Sequence, residues 1–509
     1  MRFEKLVCTS LAIARTRKRL EKIDRLADLF RALPRDAIAI GVAYLAGQVP
    51  QGRIGIGYAK LRDTQHVPPA AEPSLELLDI HRTLDAIVET TGAGSQKRRL
   101  ELLEGLLAKA TADEQVFLRR LLIGEIRQGA LESIAVEGLA KATGVDAAKI
   151  RRAQMLANDL GGIASAVILE GEAALARFDL RHFTPIHPML AHTAEDVDAA
   201  LEQLEEAIFE LKVDGARVQV HKQGDEVRVF SRRMNEVTPA VPEIVEAARR
   251  WPVESIVLDG ETIALRKDGT PHSFQTTMRR FGRRLDVDAL RAKLPLTTYY
   301  FDVLHVNGAT VIDEPATQRN LRMEGALPAE QRIERVVTRD REEADAFYAR
   351  ALDRGHEGVM AKALDATYEA GNRGKSWLKL KHVHTLDLVV IGVEWGSGRR
   401  KGWLSNLHLG ARDPKSGRFV MLGKTFKGMT DAMLTWQTEK LLSLETSREG
   451  RVVWVKPELV VEIAFNDVQH SPHYPAGVAL RFARVKRYRE DKKPQEADLL
   501  PAVLALLPD

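Results

Sequence analysis

The segment ELKVDGARVQV, Glu210 to Val220, sets a lysine at the end of an alternating run, directly before an Asp-Gly pair. The alternation predicts a strand that stops at the turn dipeptide and resumes as ARVQV, leaving the amine of Lys212 at a strand end. Lysine acts as a nucleophile only after losing its proton, and nearby cations or a dry pocket promote that loss. Further along, SWLKLK puts Lys379 and Lys381 on one face of another predicted strand. Turned toward Lys212, that face supplies cations and holds an anionic substrate. Taken singly, each lysine also fits an exposed strand of alternating charge.

Acids and arginines recur at other predicted strand ends. VLDGETIAL sets Glu261 in an otherwise apolar run, HEGVMAKALD sets Glu357 and Lys362 around GVMA, and VFSRRMN ends a strand with Arg232 and Arg233. A carboxylate buried in an apolar strand is costly unless it is paired or bound to a metal. Two of them among lysines and arginines suit Mg²⁺ with a polyphosphate, with hard oxygens for the ion and cations for the phosphates. Structural ion pairs account for any one of these segments, but they are a strained account of all together.

The elements that must position these groups change character along the chain. Up to about residue 175, apolar residues recur at three- and four-residue intervals, as in EKIDRLADLFRAL, RRLELLEGLLAKATADEQVFLRRLLIGEI and ESIAVEGLAKATGVDAAKIRRAQMLANDL. These predict helices, with Thr143 or Asp146 as the cap of a new one. This part is nearly neutral, with basic clusters in RTRKR and QKRR. RHFTPIHPML, with two prolines, marks an extended linker. Beyond it one helix precedes strand-rich sequence, including a hairpin around QGD and the run TTYYFDVLHVNG. After SWLKLKHV, short strands alternate with turn signals such as DPKSG around one helix, roughly five strands that fit a small barrel of the OB type.

Bulk composition narrows the classes. The chain has 509 residues, 45% hydrophobic and 29% charged, with a formal net charge of +4. Length predicts two to four domains with ordinary cores, and any nucleic-acid surface has to be local. Cys8 is the only cysteine, which excludes an intramolecular disulfide and a multi-cysteine zinc site and fits a reducing cytoplasm. Basic residues interrupt the short apolar patch at the N-terminus, and no run of about 18 apolar residues appears, so a cytosolic protein without a membrane span is expected.

Six segments in order, KVDGAR with FSRR, LDGE, YYFDVLHVNG, EGVMAK and WLKLK, resemble the motif set of the covalent nucleotidyltransferases. Within them the chain is similar to the three-domain ATP-dependent DNA ligases of archaea and bacteria. GRRKGWLSNLHLGARD and RFARVKRYREDKKP resemble that family's C-terminal segment. The resemblance covers the whole chain. It implies an all-α DNA-binding domain (1–178), an α+β adenylation domain (179–383) and an OB-fold β-barrel (384–509). It implies that Lys212 attacks the α-phosphate of ATP, the co-substrate, to form lysyl–AMP. Glu210 then meets the adenine amine, Phe301 stacks on the base, and Arg217 and Arg232 contact AMP and the DNA 5′-phosphate. Arg373, Lys379 and Lys381 complete a phosphate clamp, and Glu261 and Glu357 lie by Mg²⁺. Arg489, Asp491 and Lys492 of RYREDK orient pyrophosphate. The implied partner is nicked duplex DNA, encircled by a monomer. Residues 476–494, with seven Lys/Arg against two acids, suit one side of such a clamp, read through phosphates.

Rival readings fit less well. GNRGKS, Gly371 to Ser376, lacks the glycine a P-loop needs at position 369, which is Glu369. His305, His382 and His384 match no common ligand spacing. An NAD-dependent ligase carries a four-cysteine zinc module. A capping guanylyltransferase usually lacks a long helical N-terminal domain, and Glu210 favours adenine. RNA ligation is not separated by these motifs. An inactive DNA-binding scaffold leaves Lys212, Glu261, Glu357 and Lys379 without a common purpose.

Overall fold

The computed structural model describes residues 1–52, 54–126, 131–283, 285–369 and 373–507, with backbone alone at 131, 373 and 374. Its first third is helical: α1 (Phe3–Arg15), α2 (Arg19–Ala32), α3 (Ile38–Leu45), α4 (Tyr58–Asp63), α5 (Leu77–Glu89), α6 (Ser95–Leu107), α7 (Ala112–Leu122), α8 (Leu131–Thr143), α9 (Ala147–Ala157) and α10 (Leu160–Glu170). The long periodic stretch after Arg98 divides into α6 and α7 because Thr111 and Glu114 form a reciprocal capping box. Likewise Asp146, whose carboxylate accepts from the Ala148 N–H at 2.8 Å, starts α9. The Thr143 hydroxyl instead donates back to the Leu139 carbonyl. One apolar core, including Phe3, Phe30, Leu84, Leu107 and Leu139, joins these helices.

The central part holds β1 (Leu190–Thr193), α11 (Val197–Leu204), β2 (Ala207–Lys212), β3 (Ala216–Gln223), β4 (Glu226–Ser231), α12 (Pro242–Arg249), β5 (Ser255–Ala264), α13 (Phe274–Phe281), α14 (Val287–Lys293), β6 (Leu296–Val306), β7 (Ala309–Thr310), α15 (Ala316–Ala326), β8 (Arg335–Thr338), α16 (Arg341–Asp353), β9 (Gly358–Ala363) and β10 (Arg373–Lys381). Two five-stranded sheets result, ordered β1-β10-β9-β2-β8 and β4-β3-β5-β6-β7. β2 and β3, which read in sequence as one interrupted strand, belong to different sheets. The link Val213–Gly215 crosses from one to the other, and Gly215 lies so close to β5 that a Cβ there would sit 2.2 Å from the Thr262 carbonyl oxygen. The glycine is therefore needed for close approach rather than for a turn. Phe209 and Leu211 of β2 pack with residues of α11 and α16, while β3, β5 and β6 pack with α12 and Met323 of α15.

The C-terminal part is β-rich: β11 (His384–Trp395), β12 (Leu404–Arg412), β13 (Phe419–Thr425), α17 (Asp431–Ser443), β14 (Glu445–Glu449), β15 (Val452–Val455), β16 (Val460–Phe465), β17 (Asp467–His470), β18 (Val478–Arg481), β19 (Arg484–Tyr488) and α18 (Leu500–Leu504). More strands are present than the five expected, because β15 and β17–β19 are too short to show a period-2 pattern. β11 organises the sheet: one edge pairs with β12, and the other with β16 along its first half and β15 along its second. Leu388, Leu407, Leu434 and Ile463 form its core. Among the described residues, no helix is long and apolar enough to cross a membrane.

Candidate active site

Register across β2, β9 and β10 lines up three rows on the sheet face turned away from α11 and α16: Lys212–Gly358–Lys381, Glu210–Met360–Lys379 and Ile208–Lys362–Trp377. This face and the ends of β3 and β5 enclose a cleft of about 1110 Å³. Lys212, Glu210, Arg217, Arg232, Glu261, Phe301, Glu357, Lys379 and Lys381 all line it. Residues from strands far apart in sequence thus meet because the chain crosses between sheets beside Lys212.

Lys212 Nζ lies 2.8 Å from Glu357 Oε2, and Lys381 Nζ holds the other oxygen. Gly358 makes this row: its φ is +143°, and a Cβ would lie 2.1 Å from the Leu380 carbonyl oxygen. Burial pushes the Glu357 carboxyl up, but Lys212 and Lys381 outweigh it and hold it below the usual range. Burial, then the charge of Lys212, lowers Lys381. Glu261 accepts from the Gly215 N–H at 3.2 Å. Burial drives its carboxyl up to about 7, against the pull of Lys212 and Arg217.

Glu210 is 1% exposed and ion-paired to Lys362 at 2.6 Å, while its Oε1 has no hydrogen-bond partner. Burial raises its carboxyl, opposed by Lys362 and then by Arg335. Phe301 is half-buried and meets Trp377 edge to face at 6.1 Å. Arg217 reaches the cleft but is already committed: its guanidinium grips Asp259 at 2.9 and 2.6 Å and donates to the Met189 carbonyl at 2.8 Å. Arg232 is exposed at the rim.

Other expected residues lie elsewhere. Arg489 reaches Asp387 at 3.0 Å and clasps Asp491, Lys492 reaches Asp387 at 2.5 Å, and none of Arg489, Asp491 or Lys492 lines the cleft. The Arg373 side chain, and Gly371 and Asn372 of the rejected P-loop, fall outside the described residues. His305 stands edge-on to His182 at 4.6 Å, and His382 to His384 at 4.5 Å. The basic tail is partly consumed: Arg487 pairs with Glu462 and Arg481 with Asp214.

Sequence reasoning gave no role to Asp214 and counted Lys362 only among the cations of a phosphate site. Arg481 Nη1 lies 2.8 Å from Asp214 Oδ2 and 3.7 Å from Asp467 Oδ2, tying the C-terminal domain to the cleft next to Lys212. The Lys362 ammonium donates to the Phe301 carbonyl at 2.9 Å and lies over the Phe301 and Trp377 rings. Asp214, inside KVDGAR, was the available signal for the first contact. A lysine opposite an acid-bearing strand was the signal for the second.

Among the described residues, no group of three or more His, Cys, Asp or Glu could hold a metal on protein ligands alone. Glu261 and Glu357 reach one cleft, however, and a Mg²⁺ ion that keeps waters and binds substrate phosphates needs only one or two carboxylates. The carboxyl of Glu261, raised by burial, is the kind of group a cation converts to its charged form. The donor set therefore fits. An amine, flanking cations and two carboxylates in one cleft can bind a polyphosphate and attack phosphorus.

Comparison with known proteins identifies the family. Residues 188–381 match the family described as ATP dependent DNA ligase domain, 400–492 the ATP dependent DNA ligase C terminal region, and 59–140 the DNA ligase N terminus. A probable DNA ligase of Anaeromyxobacter sp. (strain Fw109-5) is 56% identical over 508 residues, covering 99% of this chain and 98% of that one. Another, from Mycolicibacterium gilvum (strain PYR-GCK), is 51% identical over 498 residues, 97% of each chain. The solved structure Pmar-Lig_Pre shares the fold, with a TM-score of 0.61 at 20% identity, over 95% of this chain and 99% of that one. Identity this high over essentially the full length, with all three regions matched in order, means that the chain belongs to the ATP-dependent DNA ligases.

Proposed function

We propose that this ligase seals 5′-phosphate/3′-hydroxyl nicks in duplex DNA through a covalent enzyme–adenylate. Lys212 Nζ attacks the α-phosphorus of ATP, the bond to pyrophosphate breaks, and the amine loses its proton, leaving AMP on Lys212 as a phosphoramidate. A 5′-phosphate oxygen at the nick takes over the AMP as the P–N bond breaks. The 3′-hydroxyl then attacks that 5′-phosphorus, forms the phosphodiester and releases AMP. Arginine would not serve, since guanidinium cannot be deprotonated. The observation that carries this reading is Lys212 at a strand end in a cleft that also gathers Glu357, Lys379 and Lys381.

Glu210 and Phe301 take the adenine, and Arg217, Arg232, Arg373, Lys379 and Lys381 take phosphates. Glu261 and Glu357 would hold Mg²⁺, which when bound neutralises charge on the reacting phosphates. Arg489, Asp491 and Lys492 orient pyrophosphate, for which Arg489 and Lys492 must first leave Asp387. We assign the domains to 1–178, 179–383 and 384–509, and the working form to a cytoplasmic monomer that surrounds DNA.

The test incubates the protein with α-labelled ATP and Mg²⁺ and asks whether label survives denaturation. Label that is absent in Lys212→Ala, not formed from GTP, and discharged by nicked DNA with a sealed product is expected. Label that nicked DNA cannot discharge would assign a different acceptor, such as RNA. No label at all would overturn the proposal.

A further inference from the structure

Glu210 and Lys362 form a buried ion pair beside the nucleophile. Their side chains are 1% and 3% exposed, and they sit on neighbouring strands at diagonal positions, since Lys362 lies opposite Ile208 in register. An ion pair this dry holds together only if the remaining donors and acceptors are also met. On the lysine side they are: the ammonium donates to the Phe301 carbonyl at 2.9 Å and lies 5.0 Å from the Phe301 ring centroid and 4.3 Å from that of Trp377. On the acid side they are not. Oε2 is bound to Lys362 and Oε1 has no partner, although Glu210 lines the cleft. A buried acceptor left open beside a ligand cavity awaits a donor from the ligand.

We propose that Lys362 is the positioning residue for base selection: by clamping one oxygen of Glu210 and pinning it to the Phe301 wall, it leaves the other as an obligate acceptor. That oxygen accepts an N–H of a 6-aminopurine and repels the carbonyl of a 6-oxopurine. This deepens the ATP-dependent reading of the same cleft and rests on it. Without the ammonium, the buried carboxylate loses its ion-pair partner, keeps only the weaker pull of Arg335 and takes up a proton. A carboxylic acid both donates and accepts, so it also tolerates a 6-oxo group, and discrimination is lost. Glu210→Gln produces the same loss by chemistry, because an amide also offers both polarities. Lys362→Arg keeps the charge and the donors.

Adduct formation on Lys212 is read by intact mass in separate reactions with each nucleotide, as the gain of AMP from ATP or of IMP from ITP. Wild type, Lys362→Met, Lys362→Arg and Glu210→Gln are each given ATP or ITP with Mg²⁺, and the ATP-to-ITP ratio of kcat/KM is compared. Wild type is expected to favour ATP, Lys362→Met and Glu210→Gln to lose at least about tenfold of that preference, and Lys362→Arg to keep it. A merely structural lysine would lower both rates and leave the ratio where it was. An unchanged ratio in Lys362→Met overturns the proposal, and if that variant does not fold, an unchanged ratio in Glu210→Gln does so. Wild type that forms no adduct with either nucleotide would overturn the adenylation reading, and this proposal with it.

Discussion

Asp302→Asn should cost far more than a one-atom change suggests, because its partner cannot give up its charge. Arg319 and Asp302 are 1% and 3% exposed. Nε and Nη2 of Arg319 donate to the two carboxylate oxygens at 2.7 and 2.9 Å, a two-pronged contact. Nη1 donates to the Glu314 and Ala366 carbonyls at 2.6 and 2.7 Å, so the guanidinium knits three segments together. Removing the negative charge leaves a buried cation uncompensated, at a cost of about 3–5 kcal/mol. That is a fifth or more of the roughly 5–15 kcal/mol that stabilises a typical domain. A chain with three domains does not unfold in one step, so the assay is hydrogen exchange of β6 amides in the full protein. Opening free energies there should fall by the stated amount. Asp302→Leu with Arg319→Met, which removes both charges, should recover most of the loss. Asp302 adjoins Phe301, so the single variant should also raise the KM for ATP. An Asp302→Asn protein within about 1 kcal/mol of wild type, or a double variant no better than the single, would refute this account.

Glu261 gives a pH dependence of defined sign. Its carboxyl is raised from 4.5 to about 7 on folding, so the native state binds the proton more tightly and stability falls as pH rises through that window. The ceiling is roughly 3 kcal/mol, reduced to about 1–2 because the side chain is partly open to the cleft. Opening of β5 should become easier by that amount between pH 5 and pH 8 in wild type but not in Glu261→Gln, and parallel behaviour of the two would count against the assignment. Gly358→Ala forces a Cβ against the Leu380 carbonyl oxygen at 2.1 Å, and should destabilise the central domain by about 2–4 kcal/mol and abolish labelling of Lys212. Wild-type labelling by that variant would show that the row is not rigid. Affinity for nicked DNA should fall steeply with salt, with a log–log slope of about −3 or steeper and little dependence on sequence, so a slope near zero would exclude phosphate-dominated binding.

What the sequence made legible was local. Lys212 at a strand end, Glu261 within an apolar strand, and Lys379 and Lys381 on one face are each decided by fewer than a dozen neighbouring residues, and period-2 patterning reports such facts directly. Capping chemistry worked for the same reason at Asp146. Which sheet a strand joins was not legible, because β2 and β3 have similar patterns, yet the chain changes sheets between them, where Gly215 comes close to Thr262. Contacts between distant segments were equally hidden. Asp214 and Arg481 are 267 positions apart, and nothing in either neighbourhood names the other. RYREDK shows the same limit: the resemblance implied a role at the nucleotide, and in this arrangement Arg489 is engaged with Asp491, and Arg489 and Lys492 with Asp387, a contact that its own neighbourhood does not name.

That the nucleophile proposed above should rest in an ion pair needs a physical account. Lys212 is 20% exposed, and its Nζ is held against Glu357 in an ion pair. The contact must open before attack on phosphorus. A triphosphate entering beside Lys379 and Lys381 brings negative charge that competes with Glu357 for both paired lysines, and a divalent ion competes for Glu357 itself. On this reading the substrate releases the amine, which stays shielded from other electrophiles until a polyphosphate arrives. The device depends on register more than on any single charge: Lys212, Gly358 and Lys381 stand in one row across three strands, and Glu357 reaches both lysines because the residue next to it has no side chain.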